Sequence, residues 1–160
     1  MRHIVTAPNL ILLKVAKPVT EFDVELSSLI EDMISLMFDF QGVGIAAPQV
    51  GDSLRVIAFM PLIHETDYPM PPRILINPVI YDYSKNYIED WEGCLSLPGQ
   101  MVKIFRPLWV DVHAQDEDGN EFEERFEYLS ARIVQHEINH LDGVLIDKYI
   151  SNNNLKLIAK

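Results

Sequence analysis

The chain has 160 residues, is 48% hydrophobic and carries a formal net charge of −11 at pH 7. That size and composition suit one globular domain with a real core, while the acidic balance argues against a nucleic-acid-binding or anionic-membrane surface, since both want clustered Lys and Arg. No apolar run approaches the ~20 residues of a membrane span, Thr6, Pro8 and Asn9 interrupt any signal-like start, and the single cysteine, Cys94, forbids an internal disulfide and suits a reducing compartment.

Residues 3–5 and 11–15 read as short extended pieces around Pro8, and Pro18 breaks the chain. Thr20, ahead of the acidic Glu21 and Asp23, is the expected N-cap of an amphipathic helix over residues 22–40. Leu26, Leu29, Ile30, Met33, Ile34 and Met37 follow its period, and the two methionines are expected in the core. The glycine- and alanine-rich stretch 41–51 lets backbone come close to something. It follows a helix and lacks both Gly-Lys-Ser/Thr and a third glycine in register, so it is not a phosphate loop. Residues 55–59 read as a strand. Residues 60–72 are a loop broken by prolines, with His64 solvated beside Glu65 and Asp67. Residues 74–80 form a second strand edged by Pro78. Residues 108–114 alternate as a third strand, in which His113 is exposed. Asp118-Gly119 turns it into a hairpin with residues 122–126. Strands joined mostly by hairpins, with two helices, predict a single α+β domain over 1–160 with antiparallel or mixed sheets.

The chemistry is concentrated late in the chain, at Gln135-His136-Glu137-Ile138-Asn139-His140-Leu141-Asp142-Gly143. Histidines four apart share one face of a helix, so both imidazoles can reach one metal ion, and Glu137 projects toward the same place. Leu129, Ile133, Val134, Ile138 and Leu141 give that helix an apolar face; Tyr128 or Ser130 lies near its start and Gly143 suits its stop. A catalytic site needs a third protein ligand. Ile146 stands where one large class of zinc peptidases places a third histidine, and no Glu follows His140. Cys94, in the tight loop Glu92-Gly93-Cys94-Leu95-Ser96-Leu97-Pro98-Gly99, is the best remaining candidate, because thiolate binds Zn²⁺ or Fe²⁺ strongly.

Three stretches together, Gly42-Val43-Gly44-Ile45-Ala46-Ala47-Pro48-Gln49, Glu92-Gly93-Cys94-Leu95-Ser96 and Gln135 to Gly143, resemble the three signature motifs of the peptide deformylases, in the family's order and at about its spacings. The resemblance implies a fold built around a central metal-binding helix. It implies removal of the N-formyl group from the initiator methionine of new polypeptides, with release of formate. It makes Cys94, His136 and His140 the metal ligands, with Fe²⁺ native in many members and Zn²⁺, Ni²⁺ or Co²⁺ able to substitute. Glu137 becomes the general base and then the proton donor to the leaving amine. Gln49 and the backbone N–H of Leu95 become the donors to the oxyanion. Gly42 and Gly44 suit a wall along which substrate backbone pairs, and Val43, Leu129, Ile133 and the His136 ring are candidates for the methionine pocket. Formyl-Met nascent peptides are the implied partners, with the ribosome beside them. The implied setting is a monomer in a bacterial-type cytoplasm or an organelle. A deformylase-like protein that binds peptide without turnover is the competing reading.

The chain departs from the family pattern in places. Asn139 stands where the family usually has Asp. Met101 stands where many members carry Arg, a side chain that would contact substrate or the loop, so its loss bears on substrate affinity; the next arginine position of the family is filled by Arg106. Leu10-Ile11-Leu12-Leu13 replaces the usual Pro-x-Leu-Arg. Any family-style C-terminal helix is short or missing, since only Ser151 to Lys160 follow Ile150.

Overall fold

The computed structural model describes residues 2–61, 70–151 and 153–158; the predicted loop histidine, His64, lies outside them. Near the start, Leu10–Leu13 is one turn of 3₁₀-helix, not an extended piece, because the Asn9 side chain caps it through Ile11 N at 3.0 Å. The first long helix, α1 (Val24–Asp39), has its cap at Asp23, three residues after the expected one. Asp23 is extended, and its carboxylate accepts from Leu26 N at 3.0 Å, so it outcompetes Thr20 for that role. As expected, Met33 and Met37 are fully buried.

The stretch after α1 is more ordered than a glycine-rich loop. It holds a short strand, β1 (Gly44–Ala46), and a 3₁₀ turn over Ala47–Val50. The strands β2 (Val56–Phe59), β3 (Arg73–Tyr83), β6 (Trp109–Gln115) and β7 (Glu121–Glu127) complete a five-stranded antiparallel sheet in the order β1-β2-β3-β6-β7. Pro78 does not end β3. The strand runs through it on an irregularity where Asn77 is left-handed (φ 52°), and the Asn77 side chain bonds both N and O of Val19. The β6–β7 hairpin closes at residues 116–120, as the Asp-Gly pair predicts.

A second sheet was not legible in the sequence. It contains β4 (Tyr87–Gly93), β5 (Gln100–Pro107) and β8 (Leu155–Leu157), all antiparallel, in the order β4-β5-β8. Leu155–Leu157, after Ile150, form a strand on β5, in the region where a family-style helix was expected to be short or missing.

The second helix, α2 (Tyr128–Leu141), is buried along most of its length. Strand β2 explains its place: Val56 and Ala58 face α1, whereas Ile57 and Phe59 face Ala131, Val134, Ile138 and Leu141 of α2. The five-stranded sheet is therefore covered by one helix on each face. On its other flank α2 meets the three-stranded sheet, whose Val102 and Ile104 pack with Leu12, Leu97, Leu145 and Ile146. Gly143 takes the left-handed conformation (φ 71°) and ends the helix as anticipated.

Candidate metal centre

Helix α2 brings His136 and His140 to one face, and the loop after β4 brings Cys94 to meet them. The ligating atoms of Cys94, His136 and His140 all lie within 4.8 Å of one another, and Cys94 Sγ is 3.2 Å from His140 Nε2. One thiol and two imidazoles form a donor set suited to Zn²⁺ or Fe²⁺. Glu137 Oε2 and His140 Nδ1 are buried without a hydrogen-bond partner. A buried, unanswered carboxylate oxygen is costly unless something else approaches it. The residues present fit a divalent cation.

The imidazoles are oriented from behind. Glu92, the inward residue next to last in β4, accepts from His136 Nδ1 at 3.0 Å. That leaves the opposite nitrogen, Nε2, for a metal. Glu92 is in turn gripped by two arginines: Arg106 Nε and Nη2 at 2.6 and 2.8 Å, and Arg132 Nη1 at 2.7 Å. Arg132 also donates to the carbonyls of Ile88 and Ile104, which ties α2 to β4 and β5. Arg106 Nη1 continues to Asn139 Oδ1 at 2.8 Å, and the Tyr149 hydroxyl reaches the same oxygen at 3.4 Å. Asn139 therefore satisfies an arginine without adding a second negative charge to the cluster.

The environment separates the carboxylates. Burial alone would raise Glu92, but hydrogen bonds from Arg106 and His136 outweigh it and hold the group at about 2. Burial pushes Glu137 up to about 7, so it can take or release a proton near neutrality. Burial and the positive charges of His136 and Arg106 keep His140 neutral, which is the form a metal ligand needs. Burial would also lower His136. Its bonds to Cys94 and Glu92 outweigh that and hold it well above its ordinary value, so metal binding there displaces a proton.

Gln49 stands across from Glu137 in the 3₁₀ turn after β1. Its Oε1 accepts from Ala46 N at 2.8 Å, which fixes the amide flip. Its Nε2 then points at Cys94 Sγ (3.7 Å) and Ser96 Oγ (3.2 Å). Ser96 itself donates to Val5 O at 2.8 Å. The donor end of Gln49 is thereby held beside the ligand cluster.

A cleft of about 390 Å³ opens over these groups. Every predicted site residue except His140 lines it: Gln49, Cys94, Leu95, His136 and Glu137 at the chemical end, with Val43, Gly44, Leu129 and Ile133 along the walls. His140 lies behind, fully buried. Leu129, a candidate for the methionine pocket that also belongs to the helix's apolar pattern, is 45% exposed and lines the cleft. Arg106 does not reach the cleft: it is buried on the inner face of β5 against Glu92. Sequence reading passed over Glu92, Arg132 and Ser96. For Glu92 a signal existed, since alternation along a strand turns it inward when its neighbour Gly93 faces the cleft.

Comparison with known proteins agrees with this arrangement. The family model described as polypeptide deformylase matches residues 1–156. A peptide deformylase of Acidobacterium capsulatum is 44% identical over 161 residues, covering 100% of this chain and 92% of that one. The crystal structure of peptide deformylase from Thermotoga maritima superposes with a TM-score of 0.86 at 40% identity, over 95% of this chain and 99% of that one. A class I type b peptide deformylase from Acinetobacter baumannii, solved with Met-Ala-Ser bound, superposes with a TM-score of 0.86 at 34% identity, over 94% of this chain and 98% of that one. A match that runs nearly end to end, in sequence and in backbone alike, leaves one assignment: the chain belongs to the polypeptide deformylase family.

Proposed function

We propose that residues 1–160 act as one catalytic domain that removes the formyl group from N-terminal formylmethionine, with Cys94, His136 and His140 holding the metal. Family membership gives the reaction class, a metal-dependent hydrolysis of an N-formyl peptide. The observation that carries the residue roles is the convergence of five groups at one end of the cleft or just behind it: the three ligand atoms, the raised carboxyl of Glu137 and the pinned amide of Gln49.

A divalent ion held by that set supplies a Lewis acid, which lowers the pKa of water to about 7 and polarises the formyl oxygen. The chain's own residues do the rest. Glu137 takes the proton as water adds to the formyl carbon, and returns it to the amine as the C–N bond breaks, releasing formate. Gln49 Nε2 and Leu95 N donate to the formyl oxygen while it carries negative charge. Val43 and Gly44 present backbone along which the peptide extends, and Leu129 and Ile133 receive the methionine side chain. That a relative holds Met-Ala-Ser supports a peptide of this kind in the cleft. The sulfur and nitrogen donors suit Fe²⁺ and Zn²⁺ alike; family resemblance is what points to Fe²⁺ as the native ion, with Zn²⁺, Ni²⁺ or Co²⁺ as substitutes. The bacterial relatives support a bacterial-type cytoplasmic setting; the reading places a monomer there, acting on chains as they leave the ribosome.

The test is formate release from formyl-Met-Ala-Ser by protein loaded anaerobically with Fe²⁺. Wild type should turn over. Glu137→Ala should lose turnover with metal content intact, and Cys94→Ser should lose metal. Robust formate release by the Glu137 variant would remove it as base, and full metal retention by the Cys94 variant would remove it as ligand.

A further inference from the structure

The cleft does not stop at the methionine pocket. It reaches the residue that follows β8: Ile158 lines it together with Gly99 and Met101. The strand is anchored there. Ile158 N donates to Gly99 O at 2.9 Å, Lys103 N donates to Asn154 O, and the Asn154 side chain bonds the carbonyls of Lys103 and Tyr149.

Register decides which side chains face the cleft. Residues directly opposite in an antiparallel pair point to the same face, and residues two apart along a strand do so too. Gly93 pairs with Met101, and Met101 pairs with Lys156. Val102, one step along β5, is fully buried in the core, so Met101 belongs to the outer face, with Lys156 beside it and Ile158 two residues on. A row Gly93, Met101, Lys156 therefore runs from the residue next to Cys94 out to the third strand. Glycine keeps the first step low, since a β-carbon at 93 would come within 3.0 Å of Met101 Sδ. Two inter-strand steps span about 10 Å, roughly three residues of extended peptide. Lys156 is exposed. It carries positive charge between two cleft-lining residues, its register partner Met101 and Ile158, in a chain with net charge −11.

Resting on the deformylase reading above, we propose that β8 forms the subsite for the substrate residues that follow methionine. Lys156 sits at the third position, where it favours an acidic side chain, and Ile158 packs against the same segment. Specificity beyond the formylmethionine is then set by a strand that the metal motifs do not include.

The test compares kcat/KM for formyl-Met-Ala-Asp-amide and formyl-Met-Ala-Lys-amide at low ionic strength. Wild type should favour the aspartate substrate by about two- to fivefold, the range of one solvent-exposed charge pair. The preference should fade with added salt. Lys156→Glu should invert the order. Leu157→Glu, which puts the same charge on the opposite face of β8, should leave the wild-type order in place. An unchanged ratio in the Lys156 variant, or the same inversion in the Leu157 variant, would overturn the proposal. Failure of wild type to release formate from either peptide would instead overturn the deformylase reading on which it rests.

Discussion

Position 44 has room for a hydrogen atom and little else. A β-carbon there would overlap Oε1 of Glu137 and come within 2.8 Å of Ile133 Cγ2. Gly44→Ala is expected to push the carboxylate aside while the ligands stay in place. Since a misplacement of about 1 Å can cost on the order of 10²-fold in rate, kcat should fall by about that much with metal content unchanged. Formate release and metal analysis on the same preparation check this, and a wild-type kcat would show that Glu137 does not depend on that spacing. The sequence reading gave Gly44 a wall facing substrate; its second role, facing the helix, depends on how closely β1 approaches α2. The same limit explains Glu92. The ligands were legible because a four-residue spacing and a tight cysteine loop are local signals. Glu92 meets Arg106, Arg132 and His136 at separations of 14, 40 and 44 residues, and only sheet register brings them together. The inward side of β5 that carries Arg106 was hidden for the same reason.

At the scale of elements, α2 depends on stopping at the right place. Gly143 has φ 71°, and a β-carbon there would lie 2.7 Å from the carbonyl carbon of Leu13. Strain and overlap act together, so Gly143→Ala should destabilise the fold by about 1–3 kcal/mol, read as a lower urea midpoint at unchanged slope. An unmoved midpoint would mean that the 10–13 segment gives way freely. Elements with a clean period were readable: α1, α2, β2 and the β6–β7 hairpin. β4 and β5 were not, because their inward positions include Glu92 and Arg106, which read as solvent-facing charges when the pattern is scored for hydrophobicity. β8 spans only three residues, all exposed, and carries no period at all.

For the molecule as a whole, the proposed ligands fasten the loop after β4 to α2, and α2 is the element shared by both sheets. Anything bound only by the native state adds stability, about 2.7 kcal/mol at a hundredfold excess over Kd. Removing the metal by chelation should therefore lower Tm by roughly 5–10 °C for a chain of this length. The loss should be restored by Zn²⁺ in wild type and not in Cys94→Ser; a Tm indifferent to chelation would uncouple the site from the fold. The spacing of the ligands has a consequence for kinetics as well. Two of them sit one helical turn apart, so a metal clipping that pair lowers the cost of nucleating α2 while the chain is still largely unfolded. The third, 46 residues from His140, joins only once the second sheet has assembled. An ion held by this set would thus hasten an early step of folding through the histidines and slow unfolding through the thiolate, the bond made last.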